Sequence, residues 1–331
     1  MLLYKDRVEL YKKLEKQLKS HVLVYVTGDR PGFETQIAGD TIDLFIEQLD
    51  KIGIVKKISL YLYTRGGDTA AAWNIINLLR QYCDELQVIV PHKAHSAGTI
   101  ISLGANSIIM TKQATLGPID PSLNTPLNPR MPNIDKTYPV SVEAVKGYIA
   151  LAKSELRIKD DMALSNVLLK LTEHVHPLVL GNVFRSRAQI KMLAKKLLIN
   201  QVKSKKRIKK IISFLCSESG SHDYTINRRE AKNSLKLNIK KPDDKLYRII
   251  KDIYDDISKE LGLREPADIR TIAANNNGNY AVKRVLLESL NGGSEFFLSQ
   301  GKVEIRQSGN GAATLQDIRL FEGWKHEELS E

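Results

Sequence analysis

The chain of 331 residues can hold one large α/β domain, or one domain with an appendage. Hydrophobic residues make up 42% and charged residues 27%, the balance of a soluble protein with a buried core. Its two cysteines, Cys83 and Cys216, have no metal-ligand spacing, which argues against a disulfide framework and for a reducing compartment. The first residues lack the apolar stretch of a signal peptide, and no apolar run is long enough to span a bilayer, so a cytoplasmic protein without a membrane partner is expected.

Net charge is +12 at pH 7, which leaves a nucleic-acid role open. The densest basic run is KSKKRIKK, residues 203–210. Ile208, Ile211 and Ile212 give it an apolar side, and no aromatic residues interleave with it. A solvated helix face is the better reading there.

Residues 1–19 read as an amphipathic helix. HVLVYV (21–26) is a β-branched strand, and the apolar residues at 37, 42, 45, 46 and 49 form a helical stripe. KISLYLY (57–63) is a strand that TRGGD breaks, followed by a helix over 69–83. ELQVIV (85–90), the segment AHSAGTIISLGA (94–105) and NSIIM (106–110) continue the alternation, which predicts parallel βαβ units.

Residues 118–139 carry six of the eleven prolines and read as a long surface loop. Three helical segments follow, over 141–156, 161–175 and 177–198, and a polar break ends them at 217–231. The division expected is a helix at 1–19, a domain at 20–240 with a loop and helical insert at 118–173, and an α+β appendage at 241–331. In that appendage Asn-Gly-Gly and Gln-Gly mark hairpin turns.

Two turns carry the chemistry. In TRGGD a strand stops at adjacent glycines and a helix begins. Glycines permit positive φ and close backbone approach, and free N–H groups at such a turn can hold an anion. A tight turn without a ligand is the alternative. In AHSAG a strand ends at Pro91 and Ser96 precedes an Ala/Gly-rich helix. Ser96 is either a nucleophile, with the Ala97 N–H facing an oxyanion, or a helix N-cap. In a parallel sheet both turns lie at the carboxyl ends of neighbouring strands, where such sheets place ligands.

The order strand–GG–helix, strand–SAG–helix, strand, LGPIDP resembles the Clp/crotonase fold. HSAGTIISLGANSIIM, LGPIDPSL and HPLVLGNVFRS resemble most the serine dehydrogenase proteinases, a branch related to signal peptide peptidases and the Clp proteolytic subunit. The resemblance covers residues 20–240. It implies an α/β fold built as a βαβ superhelix with a parallel sheet, a long helical arm and a C-terminal helix-plus-hairpin appendage. It makes Ser96 the nucleophile and Gly67 and Ala97 the oxyanion-hole donors. Ile119 stands where the Clp subunit has its histidine, so the base must come from elsewhere. His176 at the start of the 177–198 helix is the first choice, since an imidazole suits general-base work near neutral pH. Asp223 in HDYTINRREA matches the triad acid, with an Asx-type turn as its alternative. Lys136, Lys146 and Glu143 are alternative bases, and His95, beside the serine, is a weaker one.

The expectation is a cytoplasmic serine-type endopeptidase acting through an acyl-enzyme on protein or peptide substrates. It would need no metal or organic cofactor and would work as a homo-oligomer. The alternatives are a catalytically silent peptide-binding scaffold and an acyl-CoA enzyme of crotonase type. The serine itself argues against the second.

Overall fold

The computed structural model describes residues 4–120, 122–123, 125–131, 136–218, 221, 223–268, 271, 274, 276–307 and 313–328. In chain order it begins with helix α1 (Tyr4–Leu18), strand β1 (His21–Thr27), α2 (Ile42–Ile52), β2 (Val55–Tyr63), α3 (Thr69–Tyr82) and β3 (Cys83–Val90). Next come β4 (Lys93–Ala94), α4 (Ala97–Leu103), β5 (Ser107–Met110) and β6 (Thr115–Leu116). The middle holds β7 (Ser122–Leu123), β8 (Val140–Ser141), α5 (Val142–Ala150), α6 (Asp161–His174), α7 (Pro177–Leu198) and α8 (Lys205–Ser213). The chain closes with β9 (Ile226–Asn227), α9 (Arg228–Asn233), β10 (Ile239–Lys240), α10 (Asp244–Glu260), β11 (Asn279–Ser289), β12 (Gly293–Gln307) and β13 (Ala313–Glu327).

These elements form two compact units, one of residues 1–116, 200–202 and 225–331, the other of 117–199 and 203–224. The first is built on an eight-stranded sheet of order β10-β5-β3-β2-β1-β11-β12-β13. The five strands from β10 to β1 run parallel, as strict strand–helix alternation requires. The last ninety residues, read from sequence as an α+β appendage, continue this sheet: β11 pairs antiparallel with β1, and β12 and β13 follow as a meander.

The apolar periodicities decide which face each helix covers. Tyr4, Val8, Tyr11 and Leu14 of α1 and Ile250, Ile253 and Ile257 of α10 bury one face of the sheet together with Val22, Val24, Val26 and Tyr61. Tyr25, the alternate residue of β1, points the other way and meets Phe45 of α2 edge-on at 5.1 Å. Within the first face Arg7 is fully buried. It donates to Asp256 (2.8 Å) and to both oxygens of Glu288 (2.6 and 3.1 Å), and it also bonds Glu260. Burial raises the Glu288 carboxyl, but Arg7 and the bonds from Tyr11 and Ser294 outweigh it and hold the group below its ordinary range.

Gln300–Gly301, expected as a turn, lies inside β12 at a β-bulge against β13. A methyl group on Gly301 would sit 2.5 Å from the Tyr280 hydroxyl, so the glycine serves close packing rather than chain reversal. The Asn291–Gly292 turn occurs between β11 and β12 as the sequence indicates.

In the second unit, Val140, Val142, Val179 and Val183 make a small core between β8, α5 and α7. α6 has no buried residue, although Met162, Leu168 and Leu169 lie along it. The basic run forms α8, which buries Ile208, Ile211 and Ile212 and exposes its lysines, the solvated face read from the sequence. Cys83 and Cys216 are free and buried.

Candidate active site

The parallel strands β2 and β3 deliver the two turns side by side. After β2 the chain bridges to β4 at Thr64–Ala94, with Thr64 N–H donating to the Lys93 carbonyl (3.1 Å) and His95 N–H to the Thr64 carbonyl (3.1 Å). Thr64 Oγ1 also accepts from the Gly66 N–H at 3.0 Å, which folds TRGG back on itself. Asp68 then caps α3 through the N–H groups of Ala70 and Ala71.

Gly66 has φ +122° and Gly67 φ +144°, both in the region that favours glycine. A methyl group on Gly66 would lie 2.8 Å from Ser96 Cβ and 3.4 Å from Ala97 N. One on Gly67 would lie 2.2 Å from the Ile37 carbonyl oxygen, where Ile37 N–H donates to Gly66 O and Asp68 N–H to Ile37 O, both at 2.8 Å. Among the described residues, none of these backbone bonds uses the N–H of Gly67 or of Ala97.

Ser96 has φ +48° and ψ −113°, a conformation a non-glycine residue adopts only under constraint. It stands at the N-cap position of α4, yet its side chain makes no capping bond. Of the two readings open for this serine, the capping one has no hydrogen bond behind it. Helix α4 is held close to the sheet by Gly98, where a methyl group would meet Thr64 Cγ2 at 2.4 Å.

His95 turns away from the serine's helix and bonds Thr115 Oγ1 of β6 through Nε2 (2.8 Å). Burial, with Lys93, His92 and Arg65 nearby, pushes its pKa down to about 4, so the ring is neutral at pH 7. Beyond it lies a polar cluster that sequence reasoning did not find. Asp29, just past β1, accepts from Tyr63 (2.7 Å) and Lys93 (2.7 Å), and Tyr254 stacks on His92. Burial raises the Asp29 carboxyl, but those two donors bring it below the ordinary range. The only sequence signal was position: Asp29 and Lys93 each follow the carboxyl end of a parallel strand.

The first unit thus brings Ser96, Gly67, Ala97 and His95 together. The other candidates, His176, Asp223, Lys136, Lys146 and Glu143, all belong to the second unit. His176 is the N-cap of α7, and its Nδ1 accepts the Leu178 N–H at 3.2 Å, which places the proton of the neutral ring on Nε2. Lys146 pairs with Glu143 (3.4 Å), and Glu143 also faces Arg187 (3.7 Å). Lys136 and Asp223 are exposed, and the Asp223 N–H donates to Ser221 Oγ (3.1 Å). Ile119, in place of the Clp histidine, is buried, and its N–H donates to the Leu215 carbonyl.

A family model described as ClpP-like SDH-type serine proteinase matches residues 46–262. Two uncharacterized proteins of Methanocaldococcus jannaschii are 48% identical over 68 residues and 41% identical over 66 residues. Each match covers 20% of this chain and 24% or 23% of the relative, so the chain spans about a quarter of their length. Among solved structures, the 1510-N membrane-bound stomatin-specific protease in complex with a substrate peptide aligns at 18% identity and TM-score 0.39. That alignment covers 68% of this chain and 77% of that one. ClpP1 from Listeria monocytogenes aligns at 15% identity and TM-score 0.37, over 70% and 98% of the two chains. Among the described residues, no helix is long and apolar enough to cross a membrane.

Proposed function

Because the chain belongs to the ClpP-like SDH-type serine proteinases, we propose that it is a serine peptidase working through an acyl-enzyme on Ser96. The observation that carries this reading is the strained, uncapped Ser96 pressed against Gly66. In the proposed reaction Ser96 Oγ attacks a peptide carbonyl while a base takes its proton. The N–H groups of Gly67 and Ala97 receive the oxyanion, the base returns the proton to the leaving amine, and water then releases the acyl group.

His176 is the favoured base, with Asp223 as its partner. While Nδ1 accepts the Leu178 N–H the neutral ring carries its proton on Nε2, so base work requires His176 to release that cap; Nδ1–H then donates to Asp223 and Nε2 takes the serine proton. Lys146 is less suited because its ammonium is already engaged by Glu143. His95 positions the turn instead, since its ring is engaged with Thr115.

The substrate class proposed is peptide or unfolded protein, and the working form a homo-oligomer. What supports association is α6, all of whose residues lie outside any core, together with Leu178 and Phe184 on α7. Sedimentation of Leu169→Glu/Phe184→Glu beside the unaltered chain tests it: a smaller species is expected, and an unchanged one refutes the role of this surface.

A fluorophosphonate probe tests the catalytic reading. Labelling that disappears in Ser96→Ala is expected. Failure of the assembled protein to label would leave a silent peptide-binding scaffold as the better description.

A further inference from the structure

The basic charge has a location that the sequence does not reveal. The dense run at 203–210 is a convex helix face, whereas lysines scattered along the chain converge elsewhere. Lys12 and Lys16 of α1, Lys19 just after it, and Lys56 and Lys57 of β2 line one cavity, at the amino ends of β1 and β2. Lys13, Lys16, Lys245 and Arg248 line a second cavity, between the end of α1 and the start of α10. Lys16 is common to both, so the two linings meet at its side chain.

One carboxylate lies in each lining, Glu15 in the first against five cations and Asp244 in the second against four. Lys12 pairs with Glu9 (2.7 Å) and Lys57 with Glu85 (3.5 Å). Lys13 lies near Glu9, and Lys13, Lys16, Lys19, Lys56, Lys245 and Arg248 are all exposed. The arrangement is also unfavourable for the helices that carry it. Lys12 and Lys16 repel at the helical spacing of four. Lys245 and Arg248 sit at the start of α10, where the helix dipole disfavours cations. A bound polyanion relieves both terms.

The path has an end. Farther along the same helix pair a third cavity has five carboxylates, Asp6, Glu9, Asp252, Asp255 and Asp256, against Lys13 and Lys259. Such a change of sign sets a register for a charged chain and repels it from the remainder of the groove.

We infer that this path is a binding surface for a nucleic-acid strand held by its phosphates. The cations are lysines in all but one case, and lysine meets phosphate as a point charge. The two linings contain no Phe, Tyr or Trp, and His21 is their one ring, so recognition rests mainly on the backbone phosphates. Recessed charge favours a flexible strand over a flat lipid surface. The surface lies at the amino ends of the strands, opposite the carboxyl-end turns that hold Ser96, so it stands or falls independently of the peptidase reading.

The test is fluorescence anisotropy of the full chain with a fluorescein-labelled single-stranded oligothymidylate of about 20 nucleotides, at several salt concentrations. Engaging up to six phosphates predicts a log–log salt slope approaching about −4, a loss of a few hundredfold in affinity between about 50 and 200 mM salt. Lys16→Glu/Lys56→Glu is expected to weaken binding more than about tenfold, and Lys205→Glu/Lys209→Glu on α8 to leave it unchanged. Fluorescence-monitored unfolding of both variants confirms that they are folded. No binding at low salt overturns the inference, as does binding that the α8 variant abolishes and the α1/β2 variant keeps. Equal affinity for poly-glutamate or for phosphatidylserine vesicles overturns the assignment to nucleic acid.

Discussion

Gly66 and Ser96 face each other across two turns with no room for another carbon: a methyl group on Gly66 would lie 2.8 Å from Ser96 Cβ. Real Cβ atoms do not approach so closely, and the alternative to a shift of Gly66 is a shift of the serine. Gly66→Ala is therefore expected to reduce fluorophosphonate labelling of Ser96 by about 10²-fold or more, since misplacing a reacting group by about 1 Å costs that much. Stability should fall by about 1–3 kcal/mol from strain at positive φ and overpacking. Labelling that persists at the original rate would show that the serine's position does not depend on this contact.

Gly67→Ala should behave differently. Its methyl group meets the Ile37 backbone at 2.2 and 2.5 Å, where a bridge ties the residues before α2 to the glycine turn. Backbone cannot move aside as a side chain does, so the expected result is a larger loss of stability, seen as a lower midpoint in urea. A variant as stable as Gly66→Ala refutes that ranking.

His95 gives the fold a pH dependence of definite sign. Its pKa is depressed to about 4 by burial, with Lys93, His92 and Arg65 adding to it, against an unfolded value near 6.5. Between these values the unfolded chain binds more protons than the folded one, so stability falls as pH drops from about 6.5 towards 4. The contribution is about 2 kcal/mol once partial exposure is allowed for. Urea unfolding at pH 7 and pH 5 should show this loss, and His95→Gln should reduce it. An identical loss in the variant would assign the effect to other groups.

The turns at Gly66–Gly67 and at Ser96 were legible because their signals are local. Adjacent glycines after a β-branched run and small residues after Ser96 admit few backbone paths, and strict alternation fixes the parallel sheet around them. What escaped was set by distant pairing. Arg7 reads as one more charge on an amphipathic helix, yet its partners Asp256 and Glu288 lie 249 and 281 residues away. Gln300–Gly301 has the composition of a turn, and only the Tyr280 hydroxyl shows why a glycine is needed inside a strand. Asp29 and Lys93 carry no motif; β1 and β3 bring them within 2.7 Å. The basic path is of the same kind, assembled from two helices and a strand.

Arg7 makes the most costly single truncation expected here. Arg7→Ala leaves Glu288 fully buried, with Asp256 and Glu260 beside it, and removes the cation that, among the described residues, contacts all three. Breaking a buried pair in this way costs about 3–5 kcal/mol. The urea midpoint should fall accordingly, and Arg7→Ala/Glu288→Gln should recover part of the loss because the stranded charge is gone. No recovery would mean that packing around the guanidinium, not charge, dominates.

The choice between imidazole and amine as the base can be settled by where labelling falls off with pH. An imidazole base loses activity as the solution becomes weakly acidic, whereas an amine base sets an alkaline limb. With His176 as base, His176→Ala should slow labelling of Ser96 by about 10²–10⁴-fold, and Lys146→Ala and Lys136→Ala by less than about tenfold. Asp223→Asn should fall between these, because it acts on the imidazole rather than on the serine. His176 also caps α7 through Leu178, so its loss can destabilise the helix by about 1 kcal/mol without touching chemistry. His176→Asn separates the two roles, since asparagine caps well but cannot take the proton. A His176→Asn protein that folds normally and labels slowly supports the base. One that labels at the original rate removes His176 from the mechanism and moves the assignment to Lys146 or Lys136.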